Sequence, residues 1–89
     1  MTRATNPDRQ RLDAYIGARI KGRRKALSQT QWVLADVLGV SWQQLQKYER
    51  GLNRISVSLL HDLAKAQGVE IGFYVDGFDA DRAPARVAA

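Results

Sequence analysis

The sequence predicts an all-α protein with one domain. Apolar residues recur every three or four positions along most of its 89 residues, the spacing that places them on one face of a helix. Serine, threonine, asparagine and glycine, which favour helix ends, separate these apolar runs. A chain of this length with 45% hydrophobic residues can form a single modest core and is too short for two.

The first helix is predicted from about Pro7 to Ala26. Asn6 can cap its start, Pro7 suits the first helical position, and the carboxylate of Asp8 complements the positive end of the helix dipole. The apolar residues expected to face inward are Leu12, Ile16, Ile20 and Leu27.

Two short helices follow, separated by only three residues. Thr30 can cap the second helix and Gly39 can end it, while Ser41 and Gly51 do the same for the third. The residues expected to face inward are Leu34, Ala35, Leu38, Leu45 and Tyr48.

A fourth helix is predicted to begin at Ser56 or Ser58 and to end at Gly68. Its inward residues are Leu59, Leu60, Leu63 and Ala64. The apolar segment 71–75 fits a short fifth helix or a strand, and we interpret it as a helical turn. Residues 1–6 and 79–89 are predicted to be a flexible N-terminus and tail around the domain of residues 7–78.

Composition excludes several kinds of functional site. The chain has no cysteine, which rules out disulfides and thiolate metal sites and favours the cytoplasm. The single histidine, His61, has no second imidazole for a zinc site, and Asp76, Asp79 and Asp81 lack the spacing of an EF-hand loop. No nucleophile and base arrangement or glycine-rich phosphate loop is recognisable. We therefore expect no enzymatic activity, metal or cofactor.

The charge is divided unevenly along the chain. Residues 1–54 carry eleven Lys and Arg against four Asp and Glu, a net +7, whereas residues 55–89 carry three against five, a net −2, which together give +5. A polyanion would meet the N-terminal half. The alternative is that a cluster such as Lys21, Arg23, Arg24 and Lys25 is a solvated helix face.

The segment 31–50 satisfies the demands of two helices joined by a tight turn. A small side chain, Ala35, stands where the helices approach most closely, and Gly39 tolerates the positive φ that the turn needs. The positions facing the shared core are apolar or aromatic: Leu34, Leu38, Val40, Leu45 and Tyr48. A helical hairpin without a nucleic-acid role would satisfy the same packing.

The stretch TQWVLADVLGVSWQQLQKYERG, residues 30–51, resembles the Cro/repressor-type (XRE) helix-turn-helix family. The shared motifs are Thr-Gln, Leu-Ala, Leu-Gly-Val-Ser and Tyr-Glu-Arg-Gly. This resemblance implies a five-helix bundle of the lambda-repressor-like DNA-binding type, with the helix-turn-helix at helices 2 and 3. It further implies a transcriptional repressor that binds a palindromic operator as a homodimer and is nucleoid-associated when bound.

The resemblance also assigns roles to individual residues. Those expected to read bases are Trp42, Gln43, Gln44 and Lys47, because glutamine can pair with adenine and lysine with guanine. Those expected to bind phosphates are Gln31, Gln46, Arg50, Asn53 and Arg54. The alternatives are a plain polar face for the glutamines and a core position for Trp42.

Two further expectations concern how the third helix is held. Relatives pair the glutamate of the Tyr-Glu-Arg-Gly motif, here Glu49, with an arginine of the first helix, and the matching position is Arg24. Ser28 and Gln29 stand where relatives often have glycine and an apolar residue, so the link between the first two helices is expected to be looser or differently capped.

Two other functions remain open from the sequence. Phe73, Tyr74 and Phe78 are expected either to form a dimer patch or to close the bundle's own core. An antitoxin or adaptor would instead bind another protein, with the aromatics between Phe73 and Phe78 as its docking surface. A non-specific nucleoid binder would need only phosphate contacts, and the glutamines of the third helix argue against it.

Overall fold

The computed structural model describes residues 7–78. They form α1 (Pro7–Ala26), α2 (Gln31–Leu38), α3 (Trp42–Glu49) and α4 (Val57–Gln67), followed by a 3-10 helix at Ile71–Tyr74. The described part of the chain contains no strand, so the all-α prediction is confirmed. The predicted flexible segments 1–6 and 79–89 lie outside the described residues.

The predicted caps delimit the three short helices. Thr30, Ser41 and Ser56 each accept, through the side-chain oxygen, a hydrogen bond of 3.1 Å from the main-chain nitrogen three residues later. Gly39 and Gly68 end α2 and α4 in the left-handed conformation, with φ of 72° and 65°. Because each cap binds a group that the helix leaves unpaired, local sequence fixes these boundaries.

The end of α1 is capped by a serine in a glycine-type position. Ser28 has a φ of 57°, and the main-chain nitrogens of Ser28 and Gln29 donate to the carbonyls of Lys25 and Arg24 at 3.0 and 2.9 Å. This is the Schellman arrangement. The link between α1 and α2 is therefore closed by ordinary cap bonds, although a side chain replaces the usual glycine.

We expect the Ser28→Gly variant to be more stable than the wild type by about 0.5 kcal/mol. Left-handed backbone costs a residue with a side chain about 1 to 2 kcal/mol, and the extra freedom of glycine in the unfolded chain offsets part of the gain. Urea unfolding measures the difference. Ala18→Gly, an exposed position within α1, is the control and should lose about 1 kcal/mol. A loss of stability in both variants would contradict the strain at Ser28.

All four α-helices and the 3-10 helix contribute to one core. Its buried hydrophobic residues are Ile16, Ile20, Leu34, Ala35, Leu45, Leu60, Leu63, Ala64 and Tyr74. The other residues predicted to face inward lie at its margin or outside it, and of these Leu12, Leu38 and Val40 are partly buried against the core. Leu27 is 39% exposed because α1 ends one residue earlier, and Tyr48 and Leu59 are half-buried.

The expected fifth α-helix is a single 3-10 turn, so the five-helix count is wrong and the helical-turn interpretation of segment 71–75 is confirmed. The main-chain nitrogen of Phe73 donates to the carbonyl of Glu70 at 2.9 Å, and that of Val75 to Gly72 at 3.1 Å. Two glycines limit the turn: Gly72 lies within it and weakens helix formation, and Gly77 follows with a φ of 88°.

The aromatic residues of this last segment are buried or half-buried, which removes Tyr74 from the predicted docking patch. Tyr74 is fully buried, and its hydroxyl donates to the side-chain oxygen of Gln67 at 2.8 Å. Burial raises the pKa of Tyr74 to about 12, with the positive charge of Arg23 opposing the shift. Phe73 packs against the core, and Phe78 lies 5.5 Å from the ring of Tyr15. The second alternative, closure of the bundle's own core, therefore describes Tyr74.

The main chains of α1 and α3 approach each other closely at two glycines. A Cβ atom at Gly17 would lie 2.3 Å from the carbonyl oxygen of Tyr48 and 2.6 Å from that of Glu49. A Cβ atom at Gly51 would lie 2.7 Å from the Cα atom of Ala14. Only glycine fits at such a distance, so these contacts set the position of α3 on the long helix.

Candidate nucleic-acid interface

The second and third helices form a tight helix-turn-helix unit. Gly39, Val40 and Ser41 join them, and the main-chain nitrogen of Val40 donates back to the carbonyl of Ala35 at 3.1 Å. Leu34 and Ala35 are 1% and 2% exposed, so α2 presses its small and apolar residues against the core. The unit holds α3 with one face inward and leaves the opposite face open.

The open face of α3 is polar and carries most of the predicted base-reading residues. Gln43 and Lys47 are exposed and lie one turn apart, on the same side of the helix. Gln44 and Gln46 are half-buried beside them. The amide groups and the ammonium group provide both donors and acceptors, which is what reading base edges in the major groove requires.

Trp42 is neither fully exposed nor part of the buried core. It is half-buried and packs against the core, and its ring lies 5.0 Å from the ring of Trp32 at an angle of 39°. Trp32 is 65% exposed. The predicted base-reading residue is thus clamped between the core and a second indole, and sequence reasoning did not single out Trp32.

The predicted phosphate-binding residues after α3 have different surroundings. Arg50 and Asn53 are exposed. The guanidinium of Arg54 contacts the carboxylate of Asp13 on α1 at 3.1 to 3.3 Å, with side-chain exposures of 58% and 14%. Arg54 is therefore already paired in the free protein and would have to leave Asp13, or share it, to bind a phosphate.

Glu49 joins the first three helices through its carboxylate. Its oxygens accept from the Nε and Nη2 atoms of Arg24 at 2.6 and 3.1 Å and from the side-chain nitrogen of Gln31 at 2.9 Å. The side chains of Arg24 and Glu49 are 11% and 2% exposed. The structure thus brings the expected ion pair together, and it directs the amide of Gln31, the expected phosphate ligand, toward that pair.

In the basic cluster of α1, the two arginines bind other parts of the protein and the two lysines are exposed. Arg24 also donates from Nη1 to the carbonyl of Gln29 at 3.0 Å, and Arg23 donates from Nε to the carbonyl of Gln67 at 2.9 Å. Lys21 and Lys25 are exposed. Half of this cluster therefore ties loops and helix ends to α1, and the solvated-face alternative fits only the two lysines.

Several residues that shape the site escaped prediction. Asp13 and Trp32 act through partners distant in the sequence, as does Gln67, whose side-chain nitrogen donates to the carbonyl of Ile20 at 3.2 Å. Gly17 carried a signal, because a glycine inside a helix between two inward-facing isoleucines indicates a close approach of another main chain.

Residues 7–78 contain no group of three or more histidine, cysteine, aspartate or glutamate residues able to hold a metal ion. His61 is exposed, with Nδ1 3.7 Å from the carboxylate of Asp62. None of the helices in this part of the chain is long and apolar enough to cross a membrane.

Comparison with known proteins identifies the family. The family model described as Helix-turn-helix matches residues 20–74. A transcriptional regulator of the ATPase CF(0) region of Rhodospirillum rubrum is 54% identical over 71% of this chain and 58% of its own length. An HTH-type transcriptional regulator of Sinorhizobium fredii is 38% identical over 73% of this chain and 46% of its own length. The chain thus spans about half the length of these relatives.

Solved structures share the fold. The clp gene regulator ClgR of Corynebacterium glutamicum superposes with a TM-score of 0.69 and 28% identity, over 71% of this chain and 67% of that one. The restriction-modification controller protein C.AhdI of Aeromonas hydrophila gives a TM-score of 0.66 and 26% identity, over 70% of this chain and 94% of that one. The chain belongs to the XRE-type helix-turn-helix family of DNA-binding transcriptional regulators.

Proposed function

We propose that this chain is a sequence-specific repressor that binds a palindromic operator as a homodimer, with α3 of each copy in the major groove. The observation that carries the proposal is the open face of α3, where exposed Gln43 and Lys47 lie one turn apart on a helix capped by Ser41. Two α3 helices on successive major grooves would lie about 34 to 36 Å apart.

The charge around α3 supports binding to the DNA backbone. Arg50 caps the C-terminal end of α3 and is exposed, as are Lys47 and the nearby Asn53. The cationic Lys47 and Arg50 supply the salt-dependent part of affinity, while Gln43 and Gln44 supply the sequence-dependent part. In this proposal Gln31 has two roles. It places the start of α2 beside the DNA backbone, and its amide donates to the carboxylate of Glu49.

Selection of bound sequences from a random DNA pool at near-physiological salt, followed by sizing of the complex, tests the proposal. We expect an enriched palindrome bound by two copies of the chain. Weak binding that depends on salt and not on sequence would contradict sequence-specific repression, and one copy on an asymmetric site would contradict the dimer. Transcription by RNA polymerase from a promoter carrying the site, measured with and without the protein, then distinguishes repression from activation.

We expect Gln43→Ala to relax the preference at one base pair of each half-site by about 1 to 3 kcal/mol, because one bidentate contact to a base is lost. The measurement is the affinity of the variant for the selected site and for its single-base substitutions. Arg50→Ala is the control, since losing a phosphate contact should weaken all sequences alike and reduce the salt slope by about 1. Unchanged base preference in Gln43→Ala would show that another face of α3 reads the DNA.

A further inference from the structure

The Trp32–Trp42 pair is an aromatic surface that the proposed polar contacts do not use. The ring centroids lie 5.0 Å apart with the ring planes tilted by 39°, and Trp32 is 65% exposed. Burying a tryptophan is strongly favourable, so an indole left open beside a DNA-reading helix needs a reason. Its position supplies one: Trp42 is the first residue of α3 and directly precedes Gln43.

The surroundings of the pair select the chemistry of what it contacts. The indoles border an open depression of about 210 Å³ that is also lined by Ala35, Asp36 and Val40. The carboxylate of Asp36 disfavours a phosphate oxygen in this depression, because like charges repel. An uncharged apolar group fits the indole rings without meeting that repulsion.

The base edges in the major groove present one uncharged apolar group, the 5-methyl group of thymine. We propose that the Trp32–Trp42 pair reads a thymine methyl at one position of each half-site, next to the bases read by Gln43. This inference rests on the proposed function. Trp42 is held on one side by the core and on the other by Trp32, so the surface is formed before DNA arrives and little side-chain freedom is lost on binding.

The test uses the selected operator with each thymine replaced, one at a time, by deoxyuridine, which removes the methyl group and leaves the base-pairing edge unchanged. Burial of one methyl group is worth about a fourfold change in affinity. We expect the wild type to lose about that factor at one thymine of each half-site. The Trp32→Ala variant should bind the thymine and deoxyuridine versions equally at that position.

Val37→Ala is the matched control. Val37 lies on the same helix and is 65% exposed, as Trp32 is, and its replacement should leave the deoxyuridine penalty intact. Because Trp32 is mostly exposed, its variant should fold, and urea unfolding of both variants checks this. A second variant, Trp32→Gln, keeps bulk at the position without the aromatic surface and should also lose the methyl preference.

Each other outcome has a distinct meaning. A selected site at which no thymine is sensitive to deoxyuridine overturns the inference and leaves the repressor proposal standing. A Trp32→Ala variant that keeps the wild-type deoxyuridine penalty also overturns the inference. So does a variant whose affinity falls by the same factor for every site while the penalty is unchanged, a result that would indicate a sugar or backbone contact. If the random pool yields no enriched sequence, the proposed function itself fails, and methyl reading fails with it.

Discussion

The Glu49→Ala variant is expected to lose about 3 to 5 kcal/mol of folding stability. Removing one partner of a buried ion pair leaves the other charge without compensation. Here the residue left behind is Arg24, whose side chain is 11% exposed and whose Nε and Nη2 atoms both bind the carboxylate of Glu49.

The loss extends beyond the pair itself. Gln31 donates to the same carboxylate at 2.9 Å, so one substitution removes two hydrogen bonds from α1 and one from α2 to the end of α3. Since the three helices meet at Glu49, we expect α3 to lose its fixed orientation before the domain unfolds. DNA affinity should then fall even at temperatures where the helical content is unchanged.

Thermal unfolding followed by circular dichroism measures the first effect. A loss of this size should lower the midpoint by at least about 12 °C in a domain of this size. Lys47→Ala is the control, because Lys47 is exposed and lies two residues earlier on the same helix. Similar midpoints for the two variants would show that the pair contributes little. Glu49→Gln, which keeps the shape and removes the charge, separates the ionic from the hydrogen-bonding contribution.

The helices and their ends were predictable because local chemistry sets them. Thr30, Ser41 and Gly39 act on main-chain groups within three or four residues, so their effect can be read from neighbouring sequence. The apolar spacing of α1 likewise identified Ile16 and Ile20 as core residues. The fifth α-helix that the resemblance implied is only a 3-10 turn, also for a local reason: Gly72 and Gly77 oppose helix formation in this short apolar segment.

Helical spacing alone predicted which residues of α3 are exposed, whereas the Arg24–Glu49 pair was expected only from the family resemblance. Gln43 and Lys47 required nothing but helical spacing. The surroundings of Gln31, Arg54 and Trp42 depend on Glu49, Asp13 and Trp32, which lie 18, 41 and 10 positions away in the sequence. The pairing of side chains from different helices depends on how the helices pack. Hydrophobic periodicity predicts which face of a helix is buried but not which single residue each side chain contacts.

A second glycine of α1, Gly22, has free space where Gly17 has a close contact. Gly17 and Gly22 both lie within α1, but a Cβ atom at Gly22 would meet nothing within 4 Å. Alanine at Gly22 should therefore stabilise the protein by about 0.8 to 1 kcal/mol through helix propensity alone. At Gly17 the same gain is opposed by contact with the carbonyl oxygens of Tyr48 and Glu49.

We expect Gly17→Ala to lose about 3 kcal/mol, the upper end of the usual cost of overpacking, because the atoms in the way belong to the main chain and have no rotamer to escape into. Urea unfolding of the two alanine variants should give shifts of opposite sign. The shift at Gly17 also tests how α3 is positioned, since α1 can accept the methyl group only by moving away from the end of α3. Equal stabilisation in both variants would mean that the two helices separate readily, and that the ion pair at Glu49, rather than the main-chain contact, fixes the position of α3.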